Sequence, residues 1–200
     1  MDVTWLVAGL GNPGPGYATH RHNVGAMVVA ELARRGGATF KAHRMLRADL
    51  ATIRVGPDGA GAVGSDALRV ILLRTATYMN DSGIPLRNVL THDKVKPDHL
   101  IVVHDELDLD LGRLRVKFGG GDNGHNGLRS IRALTGTGDF YRVRIGIGRP
   151  PGRQDVMEWV LAPFAKAERD DRDAMVIRAA DAIESLLTIG LATTQQRFNS

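Results

Sequence analysis

The sequence predicts an α/β fold, a single domain with a central mixed, mostly parallel twisted sheet flanked by helices. Two observations predict it. Short β-branched runs alternate with helical patterns along the chain, which is typical of strands interleaved with helices. The apolar run at residues 100–103 suits a strand buried on both faces. Because 200 residues are enough for one such domain and cramped for two, we predict one domain over 1–200.

Each element follows from a local pattern. Strands are predicted at the short apolar runs 4–8, 50–55, 69–73 and 100–103, and at the alternating segments 113–118 and 143–147. The glycine-rich segment 56–61 predicts a turn between two strands. Helices are predicted where apolar residues recur every three or four positions: from Val24 to Gly36-Gly37, around 86–90, from near Asn126, and over 165–189.

The composition narrows the environment and the partners. Cysteine is absent, which excludes disulfides and thiolate chemistry and favours a reducing cytoplasm. The N-terminal residues lack the basic start of a signal peptide, and no stretch is apolar enough to cross a bilayer, so no membrane partner is expected. The formal net charge of +4 favours an anionic partner.

Four segments rich in polar residues come where predicted strands end. They are residues 9–14, 78–80, 104–106 and 119–126. Because open α/β sheets bind ligands at the carboxyl ends of their strands, these segments are expected to meet at one crevice. A fifth segment, 17–23, follows the first loop and is expected to lie over the same crevice.

The first of these segments formally matches the dinucleotide-binding pattern G-x-G-x-x-G. In that motif the turn opens directly into a helix. Here Pro13 and Pro15 follow, and the helical pattern starts only near Val24. We therefore expect no NAD binding and predict no cofactor.

Histidines and acids offer a second alternative, a metal site. His20, His22 and His104, with the acids from Asp105 onward, are suitable ligands for zinc or manganese. However, no fixed ligand spacing such as H-x-x-x-H occurs, and Arg21 between two of the histidines opposes a cation. The sequence favours a metal-free site.

His22 and Asp105 are the favoured catalytic pair. A histidine can remove a proton from water near neutral pH, and an aspartate fixes its tautomer and stabilises the imidazolium. No G-x-S-x-G motif is present, so water is the expected nucleophile. The alternative, that His22 only packs or caps, stays open on chemistry alone.

Three asparagines, Asn12, Asn80 and Asn126, lie at the predicted strand ends. Each supplies a donor and an acceptor without charge, which suits a peptide. Each is also a common turn or cap residue. Together they indicate a polar, uncharged binding floor.

A glycine-rich loop at residues 119–127 precedes a predicted helix. Glycine lets backbone N–H groups face an anion at a helix start. The basic residues on either side are Arg113, Arg115, Lys117, Arg129, Arg132, Arg142, Arg144 and Arg149. Such a surface suits a phosphodiester backbone, and ordinary solvated strand faces are the alternative.

Taken together, these segments resemble the bacterial peptidyl-tRNA hydrolase family. The residues that carry the resemblance are GLGNPG at 9–14, Tyr17, RHNVG at 21–25, YMNDSG at 78–83, HDELDL at 104–109, GGG at 119–121, GHNGL at 124–128 and YRVRIGIGRP at 141–150. The match runs from residue 6 to about residue 148, with a looser helical tail.

The resemblance implies a role for each matching residue. His22 matches the catalytic base, Asp105 the acid that keeps it basic, and Asn12 the residue that distinguishes a blocked peptidyl amine from a free one. Asn80 and Asn126 match residues that hold the peptide and the tRNA end, with Tyr17, Tyr78, Met79 and His125 beside them, and Lys117 and Arg144 match residues that touch tRNA phosphate. The family acts without metal, generally as a cytoplasmic monomer, so peptidyl-tRNA is the expected partner.

Departures and rivals remain to be tested. Asp122-Asn123 puts a negative charge in the phosphate-facing loop, and Tyr78 stands where phenylalanine is common. An RNA-binding protein without hydrolysis is disfavoured because His22, Asp105 and the three asparagines are all present. A phosphorylase or peptidase is disfavoured because its phosphate-binding or metal-ligand set is missing. Residues 150–161 are the expected cover over the crevice.

Overall fold

The strands of the computed structural model, which describes residues 3–199, begin and end close to the predicted positions. They are β1 (Thr4–Gly9), β2 (Lys41–His43), β3 (Ala48–Gly56), β4 (Gly59–Ala60), β5 (Leu68–Thr75), β6 (Leu100–Glu106), β7 (Leu114–Phe118) and β8 (Tyr141–Gly146). The helices are α1 (Val24–Arg35), α2 (Gly83–His92), α3 (Asn126–Thr135), α4 (Val156–Val160), α5 (Arg169–Ile189) and α6 (Leu191–Phe198).

All eight described strands belong to one sheet, with the order β2-β3-β5-β1-β6-β8-β7 and β4 paired to β3. The four central strands β5, β1, β6 and β8 are parallel, whereas the pairs at both edges are antiparallel. The predicted α/β class is confirmed. That residues 1–200 form one domain stays a prediction.

Two hydrophobic cores lie on opposite faces of the sheet, because side chains alternate along each strand. On β1, Val7 packs with α1 and α5, while Leu6 and Ala8 pack with α2 and α3. Every residue of β6 is buried, as its continuous apolar run predicts. No helix within residues 3–199 has the length and apolarity needed to cross a membrane.

Some elements differ from the predictions for tertiary reasons. The last long helix begins at Arg169 and not at 165, since the Glu168 carboxylate accepts the Ala165 N–H and forms a 3₁₀ turn ahead of it. The strand over 143–147 ends at Gly146. Phe118, predicted on the apolar face of its strand, is 42% exposed at the strand end. Neither β2, whose three residues are exposed, nor α6 is predicted.

The sheet places the start of α1 directly against the ends of β1 and β6. A Cβ added to Gly25 would overlap the carbonyl oxygen of Val103, and one added to Gly9 would overlap that of Gly25. Glycine at both positions therefore permits a close backbone approach. It holds the residues just before α1 over the carboxyl end of β6.

Candidate active site

This close approach brings His22 and Asp105 together. His22 lies in a 3₁₀ turn, Arg21–Asn23, just ahead of α1, and Asp105 lies near the end of β6. Both side chains are buried, and His22 Nδ1 is 2.9 Å from each carboxylate oxygen of Asp105. Nδ1–H therefore donates to the carboxylate. Nε2, which bonds to no group of residues 3–199, is left as the basic nitrogen.

A second histidine, His125, holds the same carboxylate. Its Nε2 is 2.9 Å from Asp105 Oδ1. Its Nδ1 accepts the backbone N–H groups of Gly127 and Leu128, at 3.1 and 3.4 Å, in the first turn of α3. Because Nδ1 is an acceptor there, the proton is on Nε2 and is donated to Asp105. The family resemblance implies that His125 lies beside the substrate, which stays a prediction; the bond of His125 to Asp105 was not expected.

Charge and burial act in opposite directions at this pair. Burial raises the pKa of Asp105, but the neighbouring His22 and His125, by charge and hydrogen bonding, outweigh it and hold that pKa well below its usual range. Burial lowers the pKa of His22, but the charge of Asp105 and the hydrogen bond to it outweigh burial, so that the pKa lies above its usual 6.5. Asp105 therefore stays ionised.

His104, the neighbour of Asp105 on β6, differs from His22. Burial, followed by the effect of His125, lowers its pKa to about 3, and its Nδ1 donates to the Asp105 carbonyl oxygen at 2.7 Å. It is neutral at physiological pH. Unlike His22, it makes no hydrogen bond to a carboxylate within residues 3–199, and the charge of Asp105 raises its pKa too little to offset burial.

The three predicted asparagines and His22 surround one cavity of about 230 Å³. Its lining residues are Asn12, Tyr17, His22, Tyr78, Met79, Asn80, Asn126, Met157 and Leu161. A smaller space of about 60 Å³ contains His22 and Asp105 and is walled by Val156, Met157 and Val160. The separate segments thus meet at the carboxyl end of the sheet, as the topology predicts.

Asn12 is held in one orientation. Its backbone N–H donates to Asn23 Oδ1 at 3.0 Å, and Asn23 Nδ2 donates to its carbonyl oxygen at 2.9 Å. Its side-chain oxygen accepts the Met79 N–H at 2.8 Å, so the amide NH₂ is the end left for a ligand. Sequence reasoning missed Asn23, although it adjoins His22 in the segment RHNVG.

The segment that we expect to cover the crevice contains the short helix α4. Met157, 47% exposed, lines both cavities, and the buried Val160 lines the smaller one. Residues 151–155, which precede the helix, are exposed. Motion of this segment stays a prediction.

The basic cluster is less positive than its composition implies. Glu106 accepts two bonds from Arg144, at 3.0 and 2.9 Å, Asp108 pairs with Arg149, and Asp122 pairs with Arg132. The Asp122 carboxylate thus has partners of its own, Arg132 on α3 and the Gly124 N–H within the loop.

Arg142 has a different place from the one expected. Its buried guanidinium donates to the carbonyl oxygens of Gly120, Gly121 and Gly138, and burial lowers its pKa to about 10. It braces the glycine-rich loop. Lys117, by contrast, has no carboxylate partner among residues 3–199; it lines a cavity of about 320 Å³ with Arg144.

His22, Asp105 and His125 carry side-chain atoms of the kind that can coordinate a metal ion. Ligand atoms of His22, Asp105 and His125 lie within 4.8 Å of one another. Coordination through His125 Nε2 would move its proton to Nδ1, where it would face two backbone N–H donors. The group therefore fits a hydrogen-bonded network better than a metal centre.

Comparisons with known proteins identify the family of this chain. The family model for peptidyl-tRNA hydrolase matches residues 6–200. The peptidyl-tRNA hydrolase of Cutibacterium acnes is 56% identical over 200 residues, covering 100% of both chains, and that of Frankia alni is 52% identical, covering 100% of this chain and 95% of the other. A solved peptidyl-tRNA hydrolase from Acinetobacter baumannii has a TM-score of 0.87 at 32% identity, covering 100% of this chain and 96% of that one. The chain belongs to the peptidyl-tRNA hydrolase family.

Proposed function

We propose that this protein hydrolyses the ester bond that joins a peptide, or an N-blocked amino acid, to tRNA. The observation that carries the proposal is the His22–Asp105 pair. It leaves one basic nitrogen without a partner in residues 3–199, beside a cavity lined by three asparagines. This geometry supplies a base and a peptide-binding floor at one place.

In the proposed reaction, His22 Nε2 takes a proton from a water molecule, whose oxygen attacks the ester carbonyl carbon. The imidazolium is stabilised by Asp105, which does not itself take the proton. When the tetrahedral intermediate collapses, the C–O bond to the ribose breaks and the ribose oxygen takes the proton from His22. The products are a peptide with a free carboxyl group and a tRNA with a free terminal hydroxyl.

Asn12 supports a preference for blocked substrates. Since its side-chain oxygen is occupied by Met79 N–H, its NH₂ group is the donor available to the carbonyl of an N-acyl group. A free aminoacyl group lacks that carbonyl and presents an ammonium, which is itself only a donor. The NH₂ group of Asn12 and the ammonium of the substrate would then both be donors facing each other, and binding would weaken.

The tRNA end would lie between the asparagines and the basic strands. Asn80 and Asn126, with Tyr17 and the exposed Tyr78, line the open side of the cavity. Across the loop, Lys117 and Arg144 line the larger polar cavity and suit a phosphate. Because Arg144 shares its charge with Glu106, Lys117 carries the greater part of that attraction.

We further propose that the reaction needs no metal, on the argument from His125 given above. A monomeric state, a cytoplasmic location and a role in recycling tRNA are implied by the family resemblance and stay predictions.

The test is hydrolysis of peptidyl-tRNA and N-acetyl-aminoacyl-tRNA by wild type and by His22→Ala. We expect the variant to lose about 10²- to 10⁴-fold in kcat and to bind tRNA as well as wild type, since His22 lies off the basic strands. His43→Ala, an exposed histidine on β2, is the matched control. A chelator should change neither activity. Near-normal turnover by His22→Ala would remove the proposed base.

A further inference from the structure

Arg21, the residue before His22, is enclosed by the segment that follows the cover helix. Its side chain is 4% exposed. Nη1 donates to the Pro163 carbonyl oxygen at 2.8 Å, and Nη2 pairs with Glu168 Oε2 at 2.7 Å. Its backbone N–H donates to the Ala162 carbonyl oxygen at 3.0 Å. Every one of these partners lies between residues 162 and 168.

The guanidinium also lies on the cover helix itself. Its Cζ is 3.6 Å from the centre of the Trp159 ring, within the range of a cation–π contact. On another side, Trp159 Nε1 donates to the Gly148 carbonyl oxygen at 2.9 Å. The Trp159 side chain therefore joins α4 both to the residue before His22 and to the segment that follows β8.

A helix as short as α4 depends on such contacts. Five residues cannot sustain a helix alone, since nucleation costs more than so few hydrogen bonds return. The helix carries Met157 and Val160, which form the wall beside His22 and Asp105. Whatever fixes Trp159 also fixes that wall.

We propose that Arg21 is a positioning residue for the hydrolytic reaction. It holds α4 over the catalytic cavity and ties the cover to the turn that presents His22. Its effect is exerted through Trp159 and Glu168; it does not contact the reacting atoms. The inference rests on the proposed function for its kinetic part, whereas its structural part can be measured without substrate.

The link has a kinetic consequence. The wall formed by Met157 and Val160 limits where the substrate can lie and keeps bulk solvent, other than the attacking water, from the space around the ester. If α4 moves away, the substrate is held less firmly while the His22–Asp105 pair stays intact. KM should then rise more than kcat falls, and the pH dependence of kcat should stay unchanged.

The experiment uses Trp159 as its own reporter. The chain contains two tryptophans, and Trp5 packs against His99 and Tyr141, outside the cavity. In a Trp5→Phe background, Arg21→Gln, Arg21→Lys and Glu168→Gln are compared by acrylamide quenching of fluorescence and by steady-state kinetics with peptidyl-tRNA across pH. Arg172→Lys is the matched control. Arg172 lies 5.9 Å from the Phe164 ring, comparable to the 5.4 Å of Arg21, but it pairs with Asp173.

For Arg21→Gln we expect quenching to rise about twofold, because one face of the indole loses its cover. KM should rise about tenfold, with the acid-side midpoint of kcat unchanged. Arg21→Lys keeps the charge but loses the planar face, so its quenching and KM should lie between those of wild type and Arg21→Gln. Glu168→Gln should change both quantities less than Arg21→Lys does. Arg172→Lys should give wild-type values.

Wild-type quenching or wild-type KM in Arg21→Gln would overturn the proposal. The proposal would also be overturned if Arg21→Gln unfolds at a lower temperature but has the KM of wild type while folded. That result is expected of an arginine that only stabilises the fold. If Arg21→Gln does not fold, Arg21→Lys and Glu168→Gln decide by the same two measurements. If the proposed role of His22 as the base is wrong, a different experiment shows it, because His22→Ala would then keep near-normal turnover.

Discussion

Two regions at the same end of the sheet use charge in opposite ways. Around Asp105, one buried carboxylate accepts hydrogen bonds from His22 and His125, and these bonds leave Nε2 of His22 without a partner in residues 3–199. On the β7–β8 surface, many charges of both signs lie close together. There the two arginines of β8 are both occupied, Arg144 by Glu106 and Arg142 by carbonyl oxygens.

The difference teaches what a count of charges can and cannot predict. A buried carboxylate without partners would be costly, so the donors around it are closely specified by the fold. Partly exposed ion pairs contribute about 0–1 kcal/mol each, so their presence says little about stability. They do decide how much positive charge is left for a phosphate.

The largest effect is expected at the buried pair. Asp105→Asn should lower kcat by roughly 10²- to 10⁴-fold, because an amide can donate as well as accept, so it no longer fixes the tautomer of His22, and it has no charge to stabilise the imidazolium. Wild-type kcat should fall on the acid side with a midpoint above 6.5, since the His22 pKa is raised. In the variant, burial without the opposing charge lowers that pKa, so the midpoint should move down.

A pH–rate profile checks this prediction, and an upward shift in Asp105→Asn would contradict it. The matched control is Asp98→Asn. Asp98 also bonds a histidine, His99, at 2.6 Å, but it is exposed and lies elsewhere in the fold. It should leave both rate and midpoint unchanged.

Much of the geometry of the proposed catalytic pair could be predicted from the sequence. Asp105 ends a continuous apolar run, which predicts a buried strand end, and His22 precedes a helix that must cover that strand. The glycines that let the two approach are visible in the sequence. Topology then brings the pair to one edge of the sheet.

The supporting residues could not be predicted, because their partners are distant and chemically ordinary. Arg21 bonds residues more than 140 positions away, and nothing local distinguishes it from a solvated arginine. His125 reads as a loop residue until its helix is in place. The helix α6 escapes prediction because its role, bonding the Val116 backbone through Gln195 and Asn199 at a sheet edge, is tertiary.

A smaller effect is expected on the basic surface. Lys117→Gln should weaken tRNA binding by about five- to tenfold and reduce the slope of log affinity against log salt by about 1. The reason is that Lys117, unlike Arg144, forms no ion pair within residues 3–199 and, unlike Arg142, is not bonded to carbonyl oxygens. Binding of peptidyl-tRNA can be measured in variants that also carry His22→Ala. Because these variants are expected not to hydrolyse the substrate, affinity is measured without turnover. Lys41→Gln, at the opposite edge of the sheet, is the control, and an equal loss there would indicate a non-specific charge effect.

The smallest expected effect is an increase in tRNA affinity, on replacing Asp122. Asp122 accepts the Gly124 N–H and pairs with Arg132, and it lies 4.0 Å from Arg129. Asp122→Asn keeps an oxygen for the Gly124 bond but releases the arginines, so tRNA affinity should rise about two- to threefold at low salt. The gain should vanish at high salt, because released surface charges are screened. Asp58→Asn makes the same change of charge in the β3–β4 turn and should alter affinity less. If it gives an equal gain, net charge and not the pairing of Asp122 limits attraction to RNA.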